Sequence, residues 1–176
     1  MKIRFVTLGC KLNFAESSAL GKELLLRGHQ RASLQEVPDI CVVNTCSVTD
    51  AADHKDRQTI NQLHRKFPDA IIIVTGCYAQ LQPEQISHLP GVDYVLGQNE
   101  KYDIPALVER LESDATKAAM GRSQSELLDA PMELSDIGNV HVCAIREVDE
   151  FHGAYSKDDR TRCFLKVQDG CNYFCT

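Results

Sequence analysis

The 176-residue chain lacks any run of about 18 apolar residues, the length that a membrane-spanning helix requires. Its first residues, MKIRFVTLGCK, also lack the charged start and the apolar core of roughly 7–15 residues that define a signal peptide. These two absences predict a cytoplasmic protein with no membrane partner.

An excess of positive charge is missing as well. The chain has 19 Lys and Arg against 25 Asp and Glu, a formal net charge of −6. Most of the acidic excess lies in residues 112–160. No stretch gathers the basic residues that mark a nucleic-acid surface, so the sequence predicts no such surface on this chain.

Cysteine, in contrast, is abundant, with eight residues in the chain. Disulfides are disfavoured in the cytosol, so a large number of thiols there favours metal binding or catalysis. Three of the cysteines follow directly on short apolar runs: Cys10 in FVTLGC, Cys46 in ICVVNTC and Cys77 in IIIVTGC. Three others lie inside predicted strands and are interpreted as core residues: Cys41, Cys143 and Cys163.

Apolar runs alternate with amphipathic segments along the first 111 residues. This alternation predicts an α/β fold of the Rossmann or flavodoxin type, in which a mostly parallel open sheet carries helices on both faces. The predicted strands are 2–8, 40–44, 70–75 and 92–96, with a short edge strand within 29–36. The predicted helices are 14–28, 50–66, 83–88 and 100–111.

The pattern divides the chain into three parts. Residues 1–111 are predicted to form one domain, residues 112–139 have few apolar runs and are predicted to be a linker, and residues 140–176 begin a second unit. Strand-like alternation within that unit covers residues 140–148 and 162–168.

Local signals predict how the cysteine loops are built. Asn13 is predicted to cap the helix over 14–28, with Glu16 as its capping-box partner. Gly9 and Gly76 directly precede two of the cysteines, and they are expected to allow a tight turn or a close approach.

The three strand-end cysteines are expected at one edge of the sheet, because parallel strands end on the same side. One interpretation is that all three are buried cysteines of the hydrophobic core. Structural zinc usually takes four ligands and draws pairs from close spacings, which Cys10, Cys46 and Cys77 do not offer. An iron–sulfur cluster held by three thiolates fits the number better, since one iron then has no protein ligand and can bind another group.

A second cysteine motif lies near residue 176, in the segment GCNYFCT. Cys171 and Cys175 have C-x₃-C spacing and follow the predicted strand FLKVQDG. The spacing by itself fits a redox pair or half of a zinc site equally well.

Four segments together resemble the radical S-adenosylmethionine methylthiotransferase family, in the family's order: TLGCKLNFAES, NTCSVTDAAD, VTGCYAQ and KVQDGCNYFCT. The resemblance covers nearly the whole chain. It implies a first domain with an auxiliary [4Fe–4S] cluster on Cys10, Cys46 and Cys77. It also implies that residues 140–176 start a truncated TIM-type radical domain, in which Cys171 and Cys175 match two of three ligands of a second [4Fe–4S] cluster.

The resemblance also implies an activity. Members of this family use the second cluster and S-adenosylmethionine to generate a radical, and the auxiliary cluster is thought to hold the sulfur that is delivered. The triplet Lys11-Leu12-Asn13 is most similar to the branch that adds a methylthio group to C2 of N6-threonylcarbamoyladenosine at position 37 of tRNA. tRNA is then the partner of the full-length protein, and the chain by itself is not expected to turn over.

Two alternatives remain at this stage. One is a methylthiotransferase for isopentenyladenosine in tRNA or for ribosomal protein S12. The other is an iron–sulfur module that transfers electrons and is not an enzyme.

Overall fold

The computed structural model describes residues 1–47, 49–119, 139–144, 147, 151–156 and 163–167. The strands are β1 Lys2–Thr7, β2 Gln30–Arg31, β3 Ile40–Thr45, β4 Ile71–Gly76, β5 Tyr94–Leu96, β6 Val140–His141, β7 Ala154–Tyr155 and β8 Leu165–Lys166. The α-helices are α1 Lys11–Leu26, α2 Asp50–Lys66, α3 Cys77–Leu81, α4 Pro83–Ser87 and α5 Ile104–Ala119, and a 3₁₀ turn covers Glu100–Asp103. No helix in this described part is long and apolar enough to cross a membrane.

The strands β1 to β6 form one sheet in the order β2-β1-β3-β4-β5-β6. Every neighbouring pair in it is parallel. β3 lies between β1 and β4, with Thr7 opposite Asn44 and Thr45 opposite Gly76. The predicted α/β fold with a parallel sheet is therefore confirmed, and the short edge strand expected within 29–36 is β2.

Two apolar cores lie on the two faces of this sheet. Alternate residues of a strand point to opposite faces, so Cys41 and Val43 of β3 join one core and Ile40 and Val42 join the other. The first core is closed by α2, α3 and α4, and the second by α1 and α5. All residues of β3 are buried, as its continuous apolar run predicts for a central parallel strand.

Helix α2 shows why a polar segment forms a stable helix here. Thr49 caps it by accepting a hydrogen bond from the main-chain N–H of Ala52 at 3.2 Å. Acidic residues occupy its first turn and basic residues its last turn, which complements the helix dipole. Ile60 and Leu63 anchor its apolar side in the core.

The structure differs from the sequence prediction at helix α1. The helix begins at Lys11, and its N-cap is Cys10, which makes no side-chain capping bond. Asn13 and Glu16 are therefore inside the helix, and the predicted capping box is wrong. Both side chains are buried and form hydrogen bonds with other parts of the chain. These bonds take the place of the capping bonds.

The structure also shows how the later segments are arranged. Helix α5 continues past residue 111 to Ala119. β6, which the sequence pattern groups with the second unit, pairs with β5 of the main sheet. β7 and β8 form an antiparallel pair that packs against α1. The division into domains, and the radical domain expected after it, stay predictions.

Two of the three cysteines predicted to be core residues behave differently from that expectation. Cys41 is fully buried, as predicted, but Cys143 is half-buried and Cys163 is exposed. The prediction for Cys163 was wrong because the strand near it, β8, has only two residues and is not part of the six-stranded sheet. Alternation of apolar residues there does not place the Cys163 side chain in a core.

The two cores predict a sharp contrast between positions. Ile72→Ala, at a fully buried position of β4, is expected to lower the free energy of unfolding by about 2–5 kcal/mol because it leaves a cavity. Leu26→Ala, at a position 80% exposed, is expected to stay within about 0.5 kcal/mol of the unsubstituted chain. Denaturant unfolding followed by circular dichroism measures both. Similar losses for the two variants would contradict the assigned core.

Candidate iron–sulfur site

The three strand-end cysteines lie at the carboxyl edge of three adjacent strands. Cys46 comes directly after β3 and Cys77 directly after β4. Cys10 follows β1 in a loop three residues long. Because β3 lies between β1 and β4, the structure brings together the three loops that the sequence predicted to converge.

The thiols are close enough to influence one another electrostatically. Burial raises the pKa of the Cys77 thiol, and the neighbouring Cys46 and Cys10 raise it further. The three differ in access: Cys46 is buried, Cys77 is half-buried and Cys10 is exposed. The site therefore opens to solvent on the side of Cys10.

The donor set at this edge consists of thiols. Within the described ranges, no three His, Cys, Asp or Glu side chains stand close enough to bind one metal ion together. A cluster takes its thiolates on different irons, so its ligands stand further apart than those of one ion. Three thiols with no imidazole or carboxylate among them match the soft ligand set of iron–sulfur clusters.

Two glycines permit the close approach of these loops, as predicted. Gly9 has φ +94°, and a Cβ added there would lie 2.5 Å from the Sγ of Cys46. Gly76 has φ +100°, and a Cβ there would lie 2.7 Å from the main-chain N of Thr45. Residues with a side chain rarely adopt such φ values, so both positions favour glycine for conformation and for space.

Asn13 ties two of the cysteine loops together. Its side-chain N–H groups donate to the main-chain oxygens of Leu8 and Thr45, each at 2.8 Å. Its side-chain oxygen accepts from the Cys10 thiol at 3.6 Å. One buried amide therefore bridges the ends of β1 and β3 and contacts a candidate ligand directly.

Cys46 is held from the opposite side by helix α2. Its main-chain N–H donates to Oδ2 of Asp56 at 2.9 Å. Asp56 is 1% exposed, and burial raises the pKa of its carboxyl to about 6. The hydrogen bond from Cys46 counters part of this rise, so the contact stabilises the ionised carboxylate as well as the loop.

A group of buried polar residues beside the site was not predicted from the sequence. Glu16 of α1 binds Lys101 at 2.6 Å and Lys166 of β8 at 2.9 Å, and all three side chains are buried. A signal was present: Glu16 shares a helix face with Leu20 and Leu24, which are in the core. An acidic residue at a core-facing position indicates a buried partner, but the partner's identity depends on the fold.

The other predicted ligands, Cys171 and Cys175, lie outside the described residues. Their assignment rests on the sequence pattern.

These features define the described part of the chain as an α/β fold whose parallel sheet has three cysteines at its carboxyl edge. Residues 2–97, more than half of the chain, match the family described as Uncharacterized protein family UPF0004. The chain belongs to this family.

Three relatives with assigned names show which enzymes the chain is similar to. The chain is 35% identical to threonylcarbamoyladenosine tRNA methylthiotransferase MtaB of Bacillus subtilis, over 99% of this chain and 34% of the relative. It is 34% identical to the protein of the same name from Aquifex aeolicus, over 100% of this chain and 38% of that relative. It is 31% identical to ribosomal protein uS12 methylthiotransferase RimO of Chloroflexus aurantiacus, over 99% of this chain and 37% of that relative.

These relatives confirm the resemblance to methylthiotransferases, most like the threonylcarbamoyladenosine tRNA enzymes. The chain spans 34% of the length of the Bacillus subtilis relative and 38% of the length of the Aquifex aeolicus relative.

Gly9 offers a direct test of how tightly the loops are packed. Gly9→Ala and Gly28→Ala both place a side chain at positive φ, a strain of about 1–2 kcal/mol. Only Gly9→Ala also forces a side chain against Cys46, whereas nothing lies within 4 Å of the added Cβ at Gly28. We expect Gly9→Ala to lose about 1–3 kcal/mol more in the free energy of unfolding. Equal losses in denaturant titrations would show that the Gly9 and Cys46 loops are not in contact.

Proposed function

We propose that the chain is the amino-terminal part of a methylthiotransferase that adds a methylthio group to C2 of N6-threonylcarbamoyladenosine at position 37 of tRNA. The chemistry proposed is that of a radical S-adenosylmethionine enzyme. The observation that carries the proposal is the convergence of Cys10, Cys46 and Cys77 at the ends of three adjacent strands. The names of the Bacillus subtilis and Aquifex aeolicus relatives support the choice of substrate.

Cys10, Cys46 and Cys77 are the residues that would hold an auxiliary [4Fe–4S] cluster. Such a cluster, when bound through three thiolates, offers an iron without a protein ligand, where a sulfur to be transferred can be carried. The chain's own contribution is to hold the thiolates in place: Asn13 bridges the Cys10 and Cys46 loops, and Asp56 also holds the Cys46 loop through the Cys46 amide. The exposed side at Cys10 leaves room for a substrate to approach.

A second [4Fe–4S] cluster is proposed on Cys171 and Cys175, together with a third ligand beyond residue 176, and this cluster would bind S-adenosylmethionine. Lys166 of β8, which precedes this motif in the sequence, binds Glu16 of α1, the helix that begins after Cys10. We place the start of the radical domain within residues 140–176, after the first domain of residues 1–111 and the linker of residues 112–139.

tRNA is the proposed partner of the whole protein. The net charge of −6 makes this chain a poor phosphate-binding surface. The basic surface for tRNA is therefore assigned to the part of the protein that this chain does not span. A cytoplasmic location is proposed with it, since the substrate is tRNA.

The ribosomal protein is the second candidate substrate, because the uS12 methylthiotransferase relative is 31% identical over a similar share of this chain. The tRNA assignment is preferred because the relatives with higher identity over the whole chain carry the tRNA name.

Iron binding tests the site itself. The chain is reconstituted with iron and sulfide without oxygen, in a Cys171→Ser, Cys175→Ser background, so that only the first site can form. We expect about four irons per chain, consistent with a [4Fe–4S] cluster. Cys10→Ala, Cys46→Ala and Cys77→Ala should each lose most of this iron, because each removes a ligand. Iron analysis and visible absorption measure the result.

Cys163→Ala is the matched control for this experiment, since Cys163 is an exposed thiol that is not one of the three strand-end cysteines. It should keep the full iron content. If all three site variants also keep their iron, the three thiols do not hold the cluster.

The substrate is tested with a chimera. Residues 1–167 of this chain replace the matching part of the Bacillus subtilis relative, in a strain that lacks that relative. We expect methylthio-threonylcarbamoyladenosine to return to the tRNA, and Cys46→Ala in the chimera to abolish it. Mass spectrometry of tRNA nucleosides and of ribosomal protein uS12 measures the products. Modification of uS12 in place of tRNA would assign the second candidate substrate.

A further inference from the structure

β5 is followed at the carboxyl edge of the sheet by the amide side chain of Gln98, whereas β1, β3 and β4 are followed by cysteines. β5 lies beside β4 in the sheet and is followed by Gly97 and Gln98. The side-chain Nε2 of Gln98 donates to the Sγ of Cys77 at 3.8 Å. The site therefore includes a hydrogen-bond donor aimed at one of its three sulfurs.

The orientation of this amide is set by Lys101. The Gln98 Oε1 accepts a hydrogen bond from the ammonium group of Lys101. An ammonium group has only donors, so the amide oxygen must face Lys101 and the NH₂ group faces the sulfur. The positive charge on the oxygen side also polarises the amide, which makes its N–H groups stronger donors.

The main chain of Gln98 is fixed as well. Its N–H donates to Oε1 of Gln80 at 2.8 Å, and Gln80 belongs to α3, the helix that begins at Cys77. Gly97 leaves space for this contact, because a Cβ there would lie 2.7 Å from the same Oε1 atom. Gln98 is therefore tied at both ends to the element that carries Cys77.

Lys101 is itself held in place by burial and pairing. It is 1% exposed and binds Oε1 of Glu16 at 2.6 Å. The same oxygen accepts from Lys166 at 2.9 Å, and Lys166 also donates to the Tyr102 hydroxyl at 3.0 Å. A buried network thus leads from β8 through α1 to the amide and ends at the Cys77 sulfur.

We propose that Gln98 is a positioning residue for the Cys77 thiolate and that its amide, oriented by Lys101, raises the reduction potential of an iron–sulfur cluster held by Cys10, Cys46 and Cys77. The inference rests on the proposed cluster site. A donor beside a cluster sulfur stabilises the more negative, reduced state more than the oxidised state. A purely structural role for Gln98, pinning Lys101 to α3, would leave the potential unchanged.

The test measures the potential of the first site alone. The whole chain in the Cys171→Ser, Cys175→Ser background is reconstituted without oxygen and titrated with a reductant, and electron paramagnetic resonance reports the reduced fraction. Three further variants are compared: Gln98→Leu, Gln98→Glu and Asn99→Leu. The first removes the donor, the second replaces it with a carboxylate, and the third is the matched control.

Gln98→Leu should shift the reduction equilibrium about tenfold toward the oxidised state, a potential lower by 59 mV for a one-electron couple. Gln98→Glu should lower the potential further, because a negative group then faces the sulfur. Gln98→Glu also keeps a partner for Lys101, so it gives a result even if Gln98→Leu does not fold. Asn99→Leu should leave the potential unchanged, since Asn99 donates to the main-chain oxygen of Glu147 and not to a thiol.

The outcomes separate this inference from the proposed function. A chain that takes up no cluster overturns both. A chain that takes up the cluster, with equal potentials for the unsubstituted protein, Gln98→Leu and Gln98→Glu, overturns the role of Gln98 and leaves the three-cysteine site standing. Lower potentials in both Gln98 variants, with iron content and Asn99→Leu unchanged, support it.

Discussion

The parallel register between β1, β3 and β4 is the constraint on which the rest of the site depends. Pairing Thr7 with Asn44 and Thr45 with Gly76 makes the three strands end at the same level. The three cysteine loops lie side by side because these strand ends are adjacent. Side chains alternate between faces along a strand, so a slip of one residue would exchange the two apolar cores and turn the cysteine loops apart.

The carboxyl edge is unusually polar for a region so well buried. Asn13, Asp56, Glu16 and Lys101 are each no more than 2% exposed, and each bonds to another element. Removing such groups from water is costly, and their mutual pairing offsets the cost only when the geometry is good. Apolar side chains at these positions would hold the sheet together equally well. The polar network therefore indicates that this edge is built for rigidity around the thiols, and it includes Lys166 of β8.

Much of the fold was predictable because the central strands are continuous apolar runs and the helices carry an apolar side. The order of strands and helices, the parallel sheet and the three strand-end cysteines all followed from this pattern, and the relatives confirmed the family. The capping role of Asn13 was wrong because a local signal was overridden by two main-chain acceptors, one of them 32 positions away. The donor at Gln98 and the partners of Glu16 could not be predicted, since helices and strands far apart in sequence supply them.

The sequence by itself determined which residues carry soft sulfur ligands and that they follow strands, because hydrophobic periodicity and residue type are local properties. It also determined the family, through four short segments in a set order. Only the tertiary structure decided that β3 lies between β1 and β4, that Asn13 joins two cysteine loops, and that Lys101 turns the Gln98 amide toward Cys77. These are contacts between segments that are distant in the sequence, and they form only once the sheet has brought those segments together.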